Sequence, residues 1–349
     1  MAKITPKENF MKLVGGGHPE YVPYYTMMGE PYLGEAAEAF CNPPIFNDTS
    51  FQGGTDMWGV PYKAASSGID AMMPDTGFHL FEDIEDWSKA VKFPQAPAVN
   101  ELDWNALYEN SIKMFNIDRS RTALKCGPIL GPFQELVAMM GFENGLAALY
   151  TDPEECLAMF MAMCDYLEPY YTRIIDEFKP DLWYMLDDTC AQEVPFFSPE
   201  IYEQVFLPVY KRLAKPANDR GIPIIFHNCG KVEEFCDFML DFGVSILEPT
   251  QLSNDLLMLK DKYKNKMSFI GGWDWNRVIP YDYPKFDEEE MRQTVRDSMD
   301  KYAPGGAFGI IVWPISYPGD PVCEQIKWIL RDECHWYGRK AYGYTGDDE

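Results

Sequence analysis

The chain has 349 residues, 46% of them hydrophobic and 15% aromatic, enough for a large buried core. Its formal charge of -25 argues against nucleic-acid or anionic-membrane binding, since both need basic surface. The same charge disfavours a polyanionic substrate. No apolar run approaches the ~20 residues of a membrane span, and Met1 to Glu8 lacks the apolar core of a signal peptide. Nine cysteines without regular spacing fit a reducing cytoplasm better than a disulfide framework.

Pro6 to Val14 reads as a short helix closed by Gly15-Gly16-Gly17, and Val22 to Thr26 as the first strand. An irregular Gly-, Pro- and aromatic-rich stretch follows, through Asp56-Met57-Trp58-Gly59. A weak second strand falls at residues 68–73, and Phe81 to Val91 looks helical, with acidic residues in its first turn. Beyond this point strands and helices alternate. Thr122–Cys126, Leu182–Leu186, Ile222–Phe226, Ser245–Leu247, Met267–Gly271 and Phe308–Val312 read as strands. Helices are expected at Pro132–Leu149, Asp152–Phe178, Ser198–Asp219, Val232–Phe242, Leu252–Tyr263, Glu288–Tyr302 and Pro321–Trp336, several opening on a cap residue followed by proline. Eight strands in alternation with helices predict an α/β fold, a (β/α)8 TIM barrel. The expected organisation is one domain over residues 1–349, with about 1–60 as a lid or rim over the mouth.

A barrel gathers the carboxyl ends of its strands at one mouth. The fourth strand delivers Asp187 and Asp188, the fifth His227 and Cys229, and the sixth Glu248. The seventh brings Trp273, Asp274 and Trp275, the eighth Trp313. Imidazole and thiolate two residues apart suit zinc. The competing readings are a hydrogen-bonded structural histidine, a small buried thiol, and aspartates that cap helices. Adjacent residues leaving a strand face opposite ways, so one aspartate of the pair is expected to point inward. The tryptophans read either as ordinary packing or as the wall of a pocket for a flat apolar molecule.

Taken together, several stretches resemble the uroporphyrinogen decarboxylase superfamily, which includes corrinoid-dependent methyltransferases. They are Asp56-Met-Trp-Gly-Val60, Cys126-Gly-Pro-Ile-Leu-Gly-Pro132, Asp187-Asp188 with Ser198-Pro-Glu200 and Pro208, His227-Asn-Cys-Gly230 and Phe269-Ile-Gly-Gly272. The resemblance covers nearly the whole chain and implies a (β/α)8 barrel and a homodimer. The decarboxylase itself uses an arginine-rich N-terminal segment for its polycarboxylate substrate, whereas His18 to Gly29 contains no arginine. In the methyltransferase branch the His-x-Cys pair ligates zinc, here His227 and Cys229. A further Cys expected after the last strand is missing from Pro314-Ile-Ser-Tyr317, which argues against a thiol substrate. Glu248, Asp187 and Asp188 are the carboxylates that can complete the set, with Glu248 taken as the third ligand.

The branch so implied moves a methyl group from a methylated donor, an aromatic methyl ether, to the cob(I)alamin of a partner corrinoid protein. Asp188 and His227 are then the catalytic groups, and Trp273, Trp313 and Asp187 line the substrate site. The alternatives are a methylcorrinoid-to-thiol or -pterin transferase and a non-catalytic corrinoid- or tetrapyrrole-binding barrel.

Overall fold

The computed structural model describes residues 4–27, 29–31, 33, 36–46, 53–64, 72–128, 130–274, 283–312 and 319–344. Ten strands are present among them. In chain order they are β1 (Glu38–Phe40), β2 (Gly54–Thr55), β3 (Pro61–Ala64), β4 (Met72–Pro74), β5 (Ala123–Cys126), β6 (Leu182–Leu186), β7 (Ile224–His227), β8 (Val244–Thr250), β9 (Ser268–Gly271) and β10 (Phe308–Ile310). Seven form one sheet in the order β1-β5-β6-β7-β8-β9-β10. Every pairing in it is parallel. An eighth stave is added by residues 22–26. Tyr24 bridges Ile310 in parallel, the Tyr25 N–H donates to the Ile310 carbonyl at 2.9 Å, and the Ile310 N–H donates to the Pro23 carbonyl at 2.9 Å.

The seam between this stave and β1 is spanned by a side chain. Thr26 donates from its backbone N–H (3.2 Å) and its hydroxyl (3.1 Å) to Glu38 Oε1. Gly29, at φ +80°, packs so closely on β1 that a Cβ would lie 2.6 Å from Ala39 Cα. The architecture is therefore a (β/α)8 barrel, as the strand count predicts, but one stave is placed differently. The second stave is β1, not residues 68–73. Residues 72–74 form β4, in a separate antiparallel sheet with β2 and β3, and 68–71 lie outside the described residues. β1 is only three residues long and includes a glutamate, so periodicity could not find it.

Both faces of the barrel sheet are buried, which explains why its strands read as continuous apolar runs. The pleat still sorts them. Leu124, Trp183, Met185, Ile224, Phe226, Leu247 and Phe269 face the helices, while Ala123, Leu182, Tyr184, Ile225, Ile246 and Ile270 face the interior. Phe10 and Leu13 belong to the interior cluster, because the helix Pro6–Met11 plugs the amino end of the barrel. The Gly15 N–H donates to the Ser245 carbonyl, and the Lys7 N–H to the Arg121 carbonyl, both at strand starts. This part of the N-terminal region thus lies opposite the mouth, a correction to the expected lid. The expected helix Pro132–Leu149 is two helices, Pro132–Met140 and Phe142–Thr151, broken at Gly141 with φ +79°. A further helix, Trp104–Met114, capped by Asp103, was not anticipated. No helix among the described residues is long and apolar enough to cross a membrane.

Candidate functional site

His227 is the last residue of β7, and its inward position follows from the alternation that puts Ile225 in the barrel interior. In register, His227 lies beside Leu186 on β6 and Glu248 on β8. Its Nδ1 is 3.0 Å from Glu248 Oε1. The other nitrogen, Nε2, is 3.5 Å from Cys229 Sγ and 3.6 Å from Asp188 Oδ1. The donor atoms of Asp188, His227 and Cys229 all lie within 4.8 Å of one another.

The loops that carry these groups are tied together. The Cys229 N–H donates to Asp188 Oδ1 at 2.8 Å, and Gln134 Nε2 donates to Asp188 Oδ2 at 3.1 Å. Asn228 clamps Thr189, accepting from its N–H at 3.1 Å and donating to its hydroxyl at 2.7 Å. Gly230, at φ +90°, turns the chain where a Cβ would lie 2.4 Å from the Cys190 carbonyl oxygen. The turn that aims Cys229 therefore needs glycine.

Burial pulls the His227 ring pKa down, but the charges of Glu248 and Cys229 outweigh it and hold it well above the ordinary value. Burial raises the Cys229 thiol, against the opposing pull of His227. Metal binding would displace the proton from Nε2 and from the thiol. The donor set fits zinc: one imidazole nitrogen, one sulfur and one carboxylate, with room for an open fourth position. Glu248 on Nδ1 is the arrangement that orients a metal-binding histidine. Three buried polar atoms also find no hydrogen-bond partner among the described residues: Glu248 Oε2, the Tyr184 hydroxyl and Thr250 Oγ1. They belong to β6 and β8, the strands flanking His227. Unpaired polar atoms this deep mark a place for a polar ligand or water.

The expected residues divide. Asp188, His227 and Cys229 converge. Glu248 joins them as the partner of His227 rather than as a ligand of the cluster. Asp187 faces outward and is fully buried. Its carboxylate accepts from the N–H groups of Phe133 (2.9 Å) and Gln134 (3.0 Å) and from the Tyr210 hydroxyl (2.7 Å). Those bonds tie down the start of the helix Pro132–Met140. Trp273 is also fully buried, donating from Nε1 to Thr294 Oγ1 at 2.9 Å within the apolar shell, so it is core and not pocket wall. Trp313 and Trp275 lie outside the described residues. Beside the cluster, the Phe196 N–H donates to the Thr189 carbonyl at 3.0 Å, and the Phe196 ring stacks at 5.4 Å on Phe133, which is buried in the apolar shell.

Four interior residues escaped the sequence reading: Tyr25, Glu38, Lys125 and Tyr184. A signal existed for one of them. Lysine is almost never fully buried without a partner, so Lys125 inside a predicted interior strand asks for an acid.

The model of the uroporphyrinogen decarboxylase (URO-D) family matches residues 110–308, more than half of the chain. The chain belongs to that family. None of the curated proteins compared with it matches. Among solved structures it is similar to a methyltransferase from Methanosarcina mazei. The TM-score is 0.65 at 12% identity, over 96% of this chain and 99% of that one. At that identity the likeness is one of fold. A sugar phosphate isomerase/epimerase from Parabacteroides distasonis matches at a TM-score of 0.32 and 10% identity, over 73% of this chain and 81% of that one. That similarity is too slight to carry an argument.

Proposed function

We propose that this family member is a methyltransferase that takes a methyl group from an aromatic methyl ether and passes it to the cob(I)alamin of a separate corrinoid protein. The observation that carries the reading is the convergence of Asp188, His227 and Cys229 at the barrel mouth, with Glu248 holding the far side of the histidine. Family membership and the fold shared with a protein described as a methyltransferase support it. The absence of arginine from the segment His18 to Gly29, with a net charge of -25, disfavours a polycarboxylate substrate.

In such a reaction the ether carbon–oxygen bond breaks and its electron pair stays on oxygen. The methyl carbon bonds to cobalt through the Co(I) electron pair, and the phenolate left behind takes up a proton. Phenolate is a poor leaving group, so positive charge or a proton at that oxygen lowers the barrier. Zinc held by His227, Cys229 and Asp188 would supply that charge when bound. Glu248 holds the His227 ring so that Nε2 faces the mouth. Gln134 and the Cys229 N–H hold Asp188 against it. The Tyr184 hydroxyl, buried beside Glu248, Asp188 and Cys229, is an O–H donor available to the leaving oxygen. Phe196, whose N–H donates to the Thr189 carbonyl next to Asp188, is the aromatic ring offered to the arene. The acceptor approaches from the open end of the barrel, and the protein is read as a cytoplasmic homodimer.

The test is to mix the protein with a panel of methoxylated aromatics and methylamines in the presence of cob(I)alamin, following the corrinoid absorbance. Methylation from a methoxyarene supports the reading. Transfer from methylamines alone would change the donor. Methyl movement only from methylcobalamin to a thiol or pterin would overturn the direction, and none with any donor would favour a binding protein.

A further inference from the structure

One side of the barrel mouth has no part in the chemistry described above. Phe40, Leu186 and His227 are the last residues of β1, β6 and β7, and Met27 directly follows the stave of residues 22–26. Phe40, Leu186 and Met27 pack on the interior cluster yet stay partly exposed. Glu38 and Tyr25, two residues earlier on the same faces, are fully buried. Around the closed sheet the stave of residues 22–26 stands opposite β7, with β1 next to it. Met27 and Phe40 therefore lie across the mouth from His227, and Leu186 joins the two sides from the strand beside it.

The footing of this wall is fixed by a buried cation. Lys125 is the register partner of Phe40, and its side chain is fully buried. Its Nζ pairs with Glu38 Oε2 at 2.6 Å and donates to Tyr25 Oη at 2.9 Å and the Met27 carbonyl at 2.7 Å. An ammonium has three hydrogens, so these three oxygens use its whole capacity. As a stabilising device a buried lysine–glutamate pair is poor, because desolvation offsets the attraction. Here it ties down both parts of the wall. Met27 sits at φ +63°, a conformation that a non-glycine residue keeps only when its surroundings hold it. Phe40 is braced by the ring of Tyr184, with centroids 5.3 Å apart and planes at 62°.

Polarity is divided across the mouth. The side formed by β6, β7 and β8 carries His227, the Tyr184 hydroxyl, Glu248 Oε2 and Thr250 Oγ1, the last three without a hydrogen-bond partner. Among the described residues the opposite side offers hydrocarbon, from Met27 and Phe40, above an ammonium with no hydrogen left to give. A flat ring with oxygen on one edge fits that division. A carboxylate on its far edge does not, since it would be buried without a partner.

We propose that Phe40, flanked by Met27 and Leu186, is the wall that receives the ring of the donor, and that it selects an uncharged arene whose oxygen is turned to Asp188, His227 and Cys229. The proposal rests on the proposed function for the chemistry of the donor, but ring binding is measured without methyl transfer and stands or falls separately.

The full-length chain, with no corrinoid present, is titrated with methoxybenzene, 2-methoxyphenol, 4-methoxybenzoate and trimethylammonium, followed by ligand-observed NMR. The two neutral arenes should bind the wild type, and 4-methoxybenzoate ~10-fold more weakly or worse. Phe40→Ala should raise the Kd of both neutral arenes ~10-fold, the cost of one aromatic contact, with no change towards trimethylammonium. Phe40→Leu keeps apolar volume but removes the ring face, so its Kd should fall in between, and it carries the test if Phe40→Ala does not fold. With cob(I)alamin added, Phe40→Ala should raise KM for the arene and leave kcat little altered. A wild type that binds neither neutral arene would overturn the proposal, as would a folded variant with unchanged Kd or one that loses trimethylammonium instead. Equal binding of 4-methoxybenzoate would overturn the selection for an uncharged ring. Arene binding that needs Phe40, with no methyl passed to cob(I)alamin, would defeat the proposed function and leave the wall standing. Methyl transfer from an arene with KM untouched by Phe40→Ala would do the reverse.

Discussion

Asp187 and Asp188 share a peptide bond, yet they serve two different regions of the barrel. Asp187 belongs to the shell between sheet and helices, where three donors occupy its carboxylate and no solvent reaches it. Asp188 belongs to the mouth, partly exposed, in reach of His227 and Cys229. The same contrast separates Trp273, locked in the shell by Thr294, from Phe196 near the mouth. In a closed sheet one step along the chain exchanges the two regions, so type of residue says little and parity says much.

The sharpest way to break the contrast is at the cluster itself. Protein purified without chelator should carry about one zinc per chain, and the His227→Ala, Cys229→Ala double variant none, by elemental analysis. A metal-free wild type, or an occupied double variant, would remove the mouth's claim to be a metal centre.

Trp273→Ala should cost about 3–5 kcal/mol of stability in a denaturant titration, since it empties a large buried volume. Donor binding by the fraction that stays folded should be unchanged. A binding defect at full stability would move Trp273 back to the pocket wall.

Asp188→Asn should lower the methyl-transfer rate by ~10²-fold, with KM and melting temperature little altered, as expected for a group acting on the chemical step. A fully active but destabilised Asp188→Asn would merge the two aspartates into one structural class.

The smallest effect concerns pH. Burial pushes Asp187 from 3.8 up to about 7, against the pull of its three donors. Between those values the native state holds a proton that the unfolded chain has released. This group's contribution to stability is therefore full below the unfolded pKa and is lost as pH rises through about 7. Denaturation across that window should show a steeper fall with pH in the wild type than in Asp187→Asn. Equal slopes would refute the assignment.

How much of this was legible in the chain depends on where the information sits. The long apolar strands, the proline-capped helices and the convergence of strand ends follow from local spacing, and so His227, Cys229 and Asp188 could be named together. The resemblance carried by His227-Asn-Cys-Gly230 and its companion stretches added the family, which the match over residues 110–308 shows. β1 was not legible, because three residues with a glutamate among them make no period.

The sequence by itself determined the alternation of strand and helix, because hydrophobic period and capping chemistry act over a few residues. It also determined which groups able to bind metal end the strands. Only the tertiary structure decided what each of them faces. Glu248 became the partner of His227, Asp187 a tie on a helix start and Trp273 core, because those outcomes depend on neighbours tens of residues away. Lys125, Glu38 and Tyr25 are the clearest case. Brought together from three separate staves, they satisfy one another where water cannot reach, and only closure of the barrel makes them neighbours.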